Sequence, residues 1–140
     1  MTVRRGAAPG RLPGLLWAWG PAAGLMAAIW FVSGTPSPPR LPGSVSDVTA
    51  HFLAYGSLGA AMLRGVAGAE WARVSIGGAL LAAALGAAYG VTDEFHQSFV
   101  PGRTPELRDV AADALGSAAG AGLVWAWSIV LAVRTRRHAG

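Results

Sequence analysis

The ionisable side chains of this chain are concentrated in one stretch, residues 87–113. It contains five of the seven acidic residues and one of the three histidines. Glu94 and His96 are of the types that serve as general acid and base, because burial can tune a carboxyl or imidazole toward neutral pH. Together with His51 and Asp47 they could equally ligate a metal ion. A third interpretation, which we favour, is a hydrogen-bonded network that holds helices or a ligand in place.

The spacing of these residues is not diagnostic of any of the three. The sequence has no His-Glu-x-x-His pattern and no second chelating pair, so we predict neither a metal nor a cofactor. No Ser or Thr lies in a recognisable nucleophile elbow, and there is no Cys, which excludes thiolate chemistry and disulfides. If the site is catalytic, its candidate residues are Glu94, His96 and His51.

Several other polar residues are candidates for the same site. His51 follows Asp47 by four residues on one helix face. The two could form a hydrogen bond that fixes the tautomer of the histidine, or they could make a polar contact that holds two helices together. Arg103 follows a Pro-Gly turn signal and could pair with a carboxylate of the chain, or with a phosphate or carboxylate of a ligand. The binding candidates are Asp47, His51, Tyr55, Asp93, Glu94, His96, Gln97, Arg103, Asp109 and Asp113.

The composition places these residues in a membrane protein. Hydrophobic residues make up 53% of the chain and charged residues 13%, against about 25% charged in a soluble domain. The 20 glycines suit helices that pack closely in lipid. No stripe of basic residues alternates with aromatics, so nucleic-acid binding is not predicted. We predict an all-α, polytopic four-helix bundle in the membrane.

Four segments are predicted to span the bilayer. The first is uncharged and would extend roughly 27 Å, with Trp and Phe near both ends as in interfacial belts. A cleaved signal peptide is the alternative interpretation of this segment. The second, headed by Ser46 or Asp47 as N-cap, is only weakly hydrophobic, and Asp109 is predicted to cap the fourth. The predicted boundaries are a tail at 1–14, spans at 15–32, 47–63, 74–92 and 110–133, an irregular Pro-rich loop at 33–46, and a basic tail at 134–140.

The distribution of arginines predicts the orientation. With four spans, both termini lie on one side of the membrane, and eight of the eleven arginines lie on that side. The positive-inside rule then places both termini in the cytoplasm. Six of the seven acidic residues fall on the other side, where the second helix begins, the third ends and the fourth begins. Ionisable groups at such a boundary form a functional-site hypothesis, with His51 and Asp113 the most buried of them.

A run of motifs resembles the VanZ family of small bacterial membrane proteins. The motifs are His51-Phe52 with Tyr55, Asp93-Glu94-Phe95-His96-Gln97, Phe99-Val100-Pro101-Gly102-Arg103, and Asp109 with Gly116. The sequence departs from the family pattern at Val48, where Lys is usual, and at Asp113, where Asn is usual. The family takes its name from a teicoplanin-resistance protein. The resemblance therefore implies a location in the bacterial cytoplasmic membrane and a link to glycopeptide antibiotics.

The polar residues and the family resemblance together lead to an expected function. We expect a non-enzymatic, multi-pass protein whose outward-facing polar site binds or shields a lipoglycopeptide or a lipid-linked envelope precursor, with the lipid bilayer as its surroundings. Two alternatives remain open. One is a membrane-embedded hydrolase or transferase that uses Glu94, His96 and His51 as acid–base groups at the outer leaflet. The other is an accessory scaffold subunit of a larger membrane complex.

Overall fold

A computed structural model describes residues 11–36 and 46–138, and the regular structure in those ranges is entirely helical. A short 3₁₀ turn, Trp71–Arg73, lies between the second and third helices. The helices are α1 (Arg11–Ser33), α2 (Asp47–Val66), α3 (Ile76–Gln97) and α4 (Leu107–His138). The predicted all-α fold class is confirmed.

Three of these helices, α1, α3 and α4, are long and apolar enough to cross a membrane. Their large apolar side chains point outward: Phe31, Leu80 and Leu123 are each more than 60% exposed. Such a surface would be unfavourable in water, but it matches the hydrocarbon core of a bilayer. The chain is therefore a helical membrane protein. Pro21 lies within α1, which remains one continuous helix.

The remaining helix, α2, is the innermost element of the bundle. It packs against α1, α3 and α4, and Leu58 and Leu63 on it are completely buried. Because most of its surface contacts protein rather than lipid, α2 needs less hydrophobicity than its neighbours, which explains its weak apolar signal. Ser46 caps it, accepting a hydrogen bond from the Thr49 amide at 3.2 Å as expected.

Glycine allows α2 and α4 to approach at backbone distance. A Cβ atom on Gly116 would overlap the Phe52 carbonyl oxygen, and one on Gly120 would overlap that of Gly56. A Cβ on Gly59 would overlap the backbone of Ser117. Gly116 and Gly120, in GxxxG spacing, therefore mark a close helix–helix contact of the kind that the high glycine content predicted.

The helices extend beyond the predicted apolar spans. The structure places the end of α3 at Gln97 rather than at residue 92, so the string Asp93–Gln97 is helical. Polar residues do not end a helix by themselves, and the chain leaves α3 through turns at residues 98–99 and 101–102, where Gly102 has a φ of +81°. Similarly, α1 begins at Arg11, and α4 begins at Leu107 and continues to His138. The first ten residues, most of the Pro-rich loop and the last two residues lie outside the described ranges.

Candidate functional site

The polar residues meet at one end of the bundle, which we call the polar end: the end of α1, the start of α2, the end of α3 and the start of α4. Consecutive long helices run in opposite directions, so these four termini lie together. Five acidic or amide side chains there are buried, although the bundle around them is apolar: Asp93, Glu94, Gln97, Asp109 and Asp113.

The last two turns of α3 provide one face of the polar end. Gln97 lies four residues after Asp93 and three after Glu94, so its side chain is on the same side of the helix as both carboxylates. The Gln97 Nε2 donates to Glu94 Oε1 at 3.2 Å and, more weakly, to Asp93 Oδ2 at 3.5 Å. Phe95 and Phe99 lie on the opposite side, exposed, with their rings edge to face at 5.1 Å.

The two carboxylates of this face also join α3 to other elements. The Ser33 hydroxyl at the end of α1 donates to Asp93 Oδ1 at 2.6 Å in a buried hydrogen bond. The Glu106 amide donates to Glu94 Oε2 at 3.1 Å, which holds the connection to α4 against α3. Both carboxylates therefore have structural partners inside the protein.

His51 and Asp113 form the contact between α2 and α4. His51 Nδ1 lies 2.9 Å from Asp113 Oδ1, with the histidine side chain 12% exposed and the aspartate side chain fully buried. Asp113 fits because α3 has a glycine beside it: a Cβ on Gly90 would lie 2.7 Å from the Asp113 Cβ. Tyr55 stacks parallel to His51 at 6.4 Å. The sequence suggested Asp47 as the partner of His51; the structure shows a hydrogen bond to Asp113 instead.

Two sets of potential metal ligands converge on His51. Asp47, His51 and Asp109 form one set, and His51, Glu94 and Asp113 form the other; within each, one nitrogen or oxygen atom per residue lies within 4.8 Å of the others. Asp47 is exposed, whereas Asp109 is 4% exposed. His51 is thus flanked by four carboxylates contributed by α2, α3 and α4.

His96 does not join this group. Its ring stacks on Trp30 of α1, with centroids 3.7 Å apart and an interplanar angle of 6°. Residues two apart on a helix point to nearly opposite sides, so His96 and Glu94 cannot face one another. The structure therefore does not bring Glu94 and His96 together, as the acid–base alternative would require.

Arg103 and Asp109 also differ from expectation. Within residues 11–36 and 46–138, Arg103 makes no ion pair with a carboxylate, and its half-buried side chain leaves Nε without a hydrogen-bond partner. The nearby Arg108 instead pairs with Glu106, through Nη2 and Oε1 at 3.2 Å. Asp109 lies in the first turn of α4 rather than at its cap, because that helix begins at Leu107.

The structure adds residues that the sequence did not indicate. Ser33 and Trp30, at the end of α1, contact Asp93 and His96. Ser117 donates a hydrogen bond to the Tyr55 carbonyl at 3.3 Å, one turn below the His51–Asp113 pair. Ser33 is the residue at which the apolar run of α1 ends, which is the one sequence signal that could have pointed to it.

The fold and the polar end define a class: a small helical membrane bundle with a buried carboxylate–histidine cluster at one end. A family model described as VanZ/LLP1 matches residues 24–130, well over half of the chain. The chain belongs to the VanZ/LLP1 family, and the resemblance seen in its motifs is confirmed. Searches of curated proteins and of solved structures found no match.

Proposed function

We propose that this membrane protein binds an amphiphilic cell-envelope ligand at its polar end, facing outward from the cytoplasmic membrane. The observation that carries the proposal is the burial of Asp93, Glu94, Asp109 and Asp113 at one end of an apolar bundle. Ionisable groups in a membrane boundary are costly, and helix pairing alone can be achieved with small residues, as between α2 and α4. Binding of a polar ligand group is the simplest explanation for carboxylates buried there at that energetic cost.

The surroundings of the polar end suit a ligand with both a polar and an apolar part. Arg103 has an N–H without a partner, and could donate it to a phosphate or carboxylate. Phe95 and Phe99 are 68% and 71% exposed on the lipid-facing side of the same helix end, where they could contact a hydrocarbon chain. A lipoglycopeptide such as teicoplanin, or a lipid-linked envelope precursor, has this combination.

Expression in a teicoplanin-susceptible bacterium tests the proposal. The wild-type chain should raise the minimum inhibitory concentration of teicoplanin, and His51→Asn and Glu94→Gln should abolish the increase. Glu70→Gln is the matched control, because Glu70 is an exposed carboxylate at the opposite end of the bundle, paired with Arg73 at 3.0 Å. Membrane levels of each variant are compared by immunoblot. Unchanged tolerance with wild-type protein present in the membrane would contradict a resistance role.

A second candidate function is supported by the His51–Asp113 pair. A carboxylate that orients an imidazole is a common arrangement for a general base, and Glu94 lies near enough to act as its acid partner. The protein would then be a hydrolase or transferase acting on a lipid or peptide at the outer leaflet, without His96. Incubation of purified protein with a polyprenyl-linked precursor, followed by mass spectrometry, should show a product that His51→Asn does not form.

A further inference from the structure

We propose that Asp47, His51 and Asp109 bind one divalent transition-metal ion, Zn²⁺ or Mn²⁺, at the polar end. One ligand atom from each residue lies within 4.8 Å of the other two. Metal–ligand bonds of about 2.0–2.6 Å allow ligand atoms around one ion to be up to about 5 Å apart. One imidazole with two carboxylates is a ligand set for transition metals, whereas Mg²⁺ and Ca²⁺ prefer oxygen alone.

A second observation, independent of the clustering, concerns the hydrogen bonding of the buried carboxylates. Asp109 is 4% exposed, and its Oδ1 is buried without a hydrogen-bond partner; the Arg108 Nε lies 4.0 Å from this oxygen, beyond hydrogen-bond distance. Asp113 is completely buried, and its Oδ2 also has none. A buried carboxylate oxygen without a donor is costly. A cation next to Asp109 would bind the Asp109 Oδ1 directly. Bound also to His51, it would lie close enough to stabilise the negative charge of Asp113.

The His51–Asp113 hydrogen bond prepares His51 for a metal. With its proton on Nδ1, facing Asp113 at 2.9 Å, the ring keeps a lone pair on Nε2. Metal-binding histidines commonly donate their other N–H to a carboxylate in this way, which fixes the tautomer and strengthens the ligand. Asp113 is then a positioning residue for His51 rather than a ligand.

The other set of potential ligands, His51 with Glu94 and Asp113, fits less well. An ion there would compete with the His51–Asp113 hydrogen bond, and Glu94 already accepts hydrogen bonds on both oxygens. The set with Asp47 uses neither Glu94 nor Asp113 as a ligand. It also opens to solvent through Asp47, which is exposed, so an ion can enter and retain water molecules.

The local charge favours a cation as well. Among the described residues, Arg108 is the one arginine within 4.0 Å of these carboxylates; it reaches Asp109 at that limit and is largely occupied by Glu106. Four carboxylates around one histidine would repel an anionic head group. A bound divalent ion would reverse this, because its open coordination positions take phosphate or carboxylate oxygens. The inference concerns the site of the proposed function, but metal binding can be measured without any envelope ligand.

The test uses the purified full chain in nanodiscs, stripped with a chelator and dialysed against Zn²⁺ or, separately, Mn²⁺. Bound metal is measured by mass spectrometry. We expect one equivalent per chain. Affinity should fall by about 100-fold or more in His51→Asn and Asp109→Asn, since each removes a ligand, and by about 10–100-fold in Asp113→Asn. Glu70→Gln, at the other end of the bundle, should bind as the wild type does, because Glu70 pairs with Arg73 away from the site.

Each outcome decides the proposal. No retained ion in the wild type, or equal loss in the Glu70→Gln control, would overturn it. Loss in Glu94→Gln without loss in Asp47→Asn would place the ion in the other set and would also refute the assignment. If the Asp109 variant does not fold, Asp47→Asn replaces it, because Asp47 is exposed. If the wild-type chain binds no metal ion but still confers teicoplanin tolerance, the metal site alone is refuted. If it binds the ion but confers no tolerance, the resistance role alone is refuted.

Discussion

At the scale of single residues, the polar end is held together by hydrogen bonds to buried carboxylates. Ser33 is the clearest case, because its hydroxyl is 2.6 Å from Asp93 Oδ1 and is itself 4% exposed. Ser33→Ala should lower the free energy of unfolding by about 1–3 kcal/mol, since Asp93 loses a donor that water cannot readily replace. Reversible unfolding in mixed micelles measures this.

Ser57→Ala is the matched control for that change. The Ser57 hydroxyl bonds to the Leu53 carbonyl of its own helix and is exposed. Its loss should alter stability by no more than about 0.5 kcal/mol. Equal effects of the two substitutions would show that the Ser33–Asp93 bond does not stabilise the bundle.

The His51–Asp113 contact should be energetically coupled. In a double-mutant cycle with His51→Asn and Asp113→Asn, we expect an interaction energy of about 0.5–3 kcal/mol, because Asp113 is fully buried and directly bonded to His51. The exposed Arg73–Glu70 pair, 3.0 Å apart, should give about 0.2–1 kcal/mol in a parallel cycle. A His51–Asp113 coupling of zero would contradict the contact.

Residue types and spacing predicted most of the side chains at the polar end, but neither Ser33 and Trp30 nor how the side chains pair. Asp47 and Asp113 are both plausible partners of His51 in the sequence, and the choice depends on the rotation of α4 against α2. That rotation is set by Gly116 and Gly120 fitting against Phe52 and Gly56. Likewise, the stacking of His96 on Trp30 depends on where the end of α1 meets α3, which helix periodicity alone does not determine.

At the scale of helices, glycine positions should determine stability. Gly90→Ala would place a Cβ 2.7 Å from that of Asp113, where neither helix can shift freely. We expect a loss of about 1–3 kcal/mol from this overpacking, together with weaker metal binding, measured by unfolding and by dialysis.

Gly77→Ala, on the same helix, is the control. Nothing lies within 4 Å of a Cβ at Gly77, so alanine there should be neutral or should stabilise α3 by up to about 1 kcal/mol. Equal destabilisation by both substitutions would show that α3 and α4 do not approach as closely as described.

The existence of the helices followed from the sequence, whereas their ends did not. Apolar segments of about 18 residues identified α1, α3 and α4 because lipid demands a continuous apolar surface. The ends of α3 and α4 consist of polar residues, which lie outside the apolar segments, so the hydropathy pattern underestimated the lengths of both helices. The weakly apolar α2 was recognisable from its cap at Ser46, and its central position explains its composition.

At the scale of the whole molecule, the central prediction is orientation. Because the chain has no Cys, single cysteines can report it directly. Ser98→Cys and Thr104→Cys, in the connection at the polar end, should react with an impermeant thiol reagent in intact cells. Glu70→Cys, at the opposite end, should react only after lysis. The reverse pattern would place the polar end in the cytoplasm and would contradict the proposed outward-facing site.

The claim that this polar end is a ligand site is tested most directly by binding. Wild-type protein in nanodiscs is titrated with teicoplanin and, separately, with a polyprenyl-diphosphate-linked precursor, in parallel with His51→Asn, Glu94→Gln and Glu70→Gln. We expect saturable binding of at least one of the two ligands by the wild type and by Glu70→Gln. In the two variants of the polar end, the affinity should be at least about tenfold weaker, or about 1.4 kcal/mol. Equal binding by all four proteins, or by none of them, would contradict it.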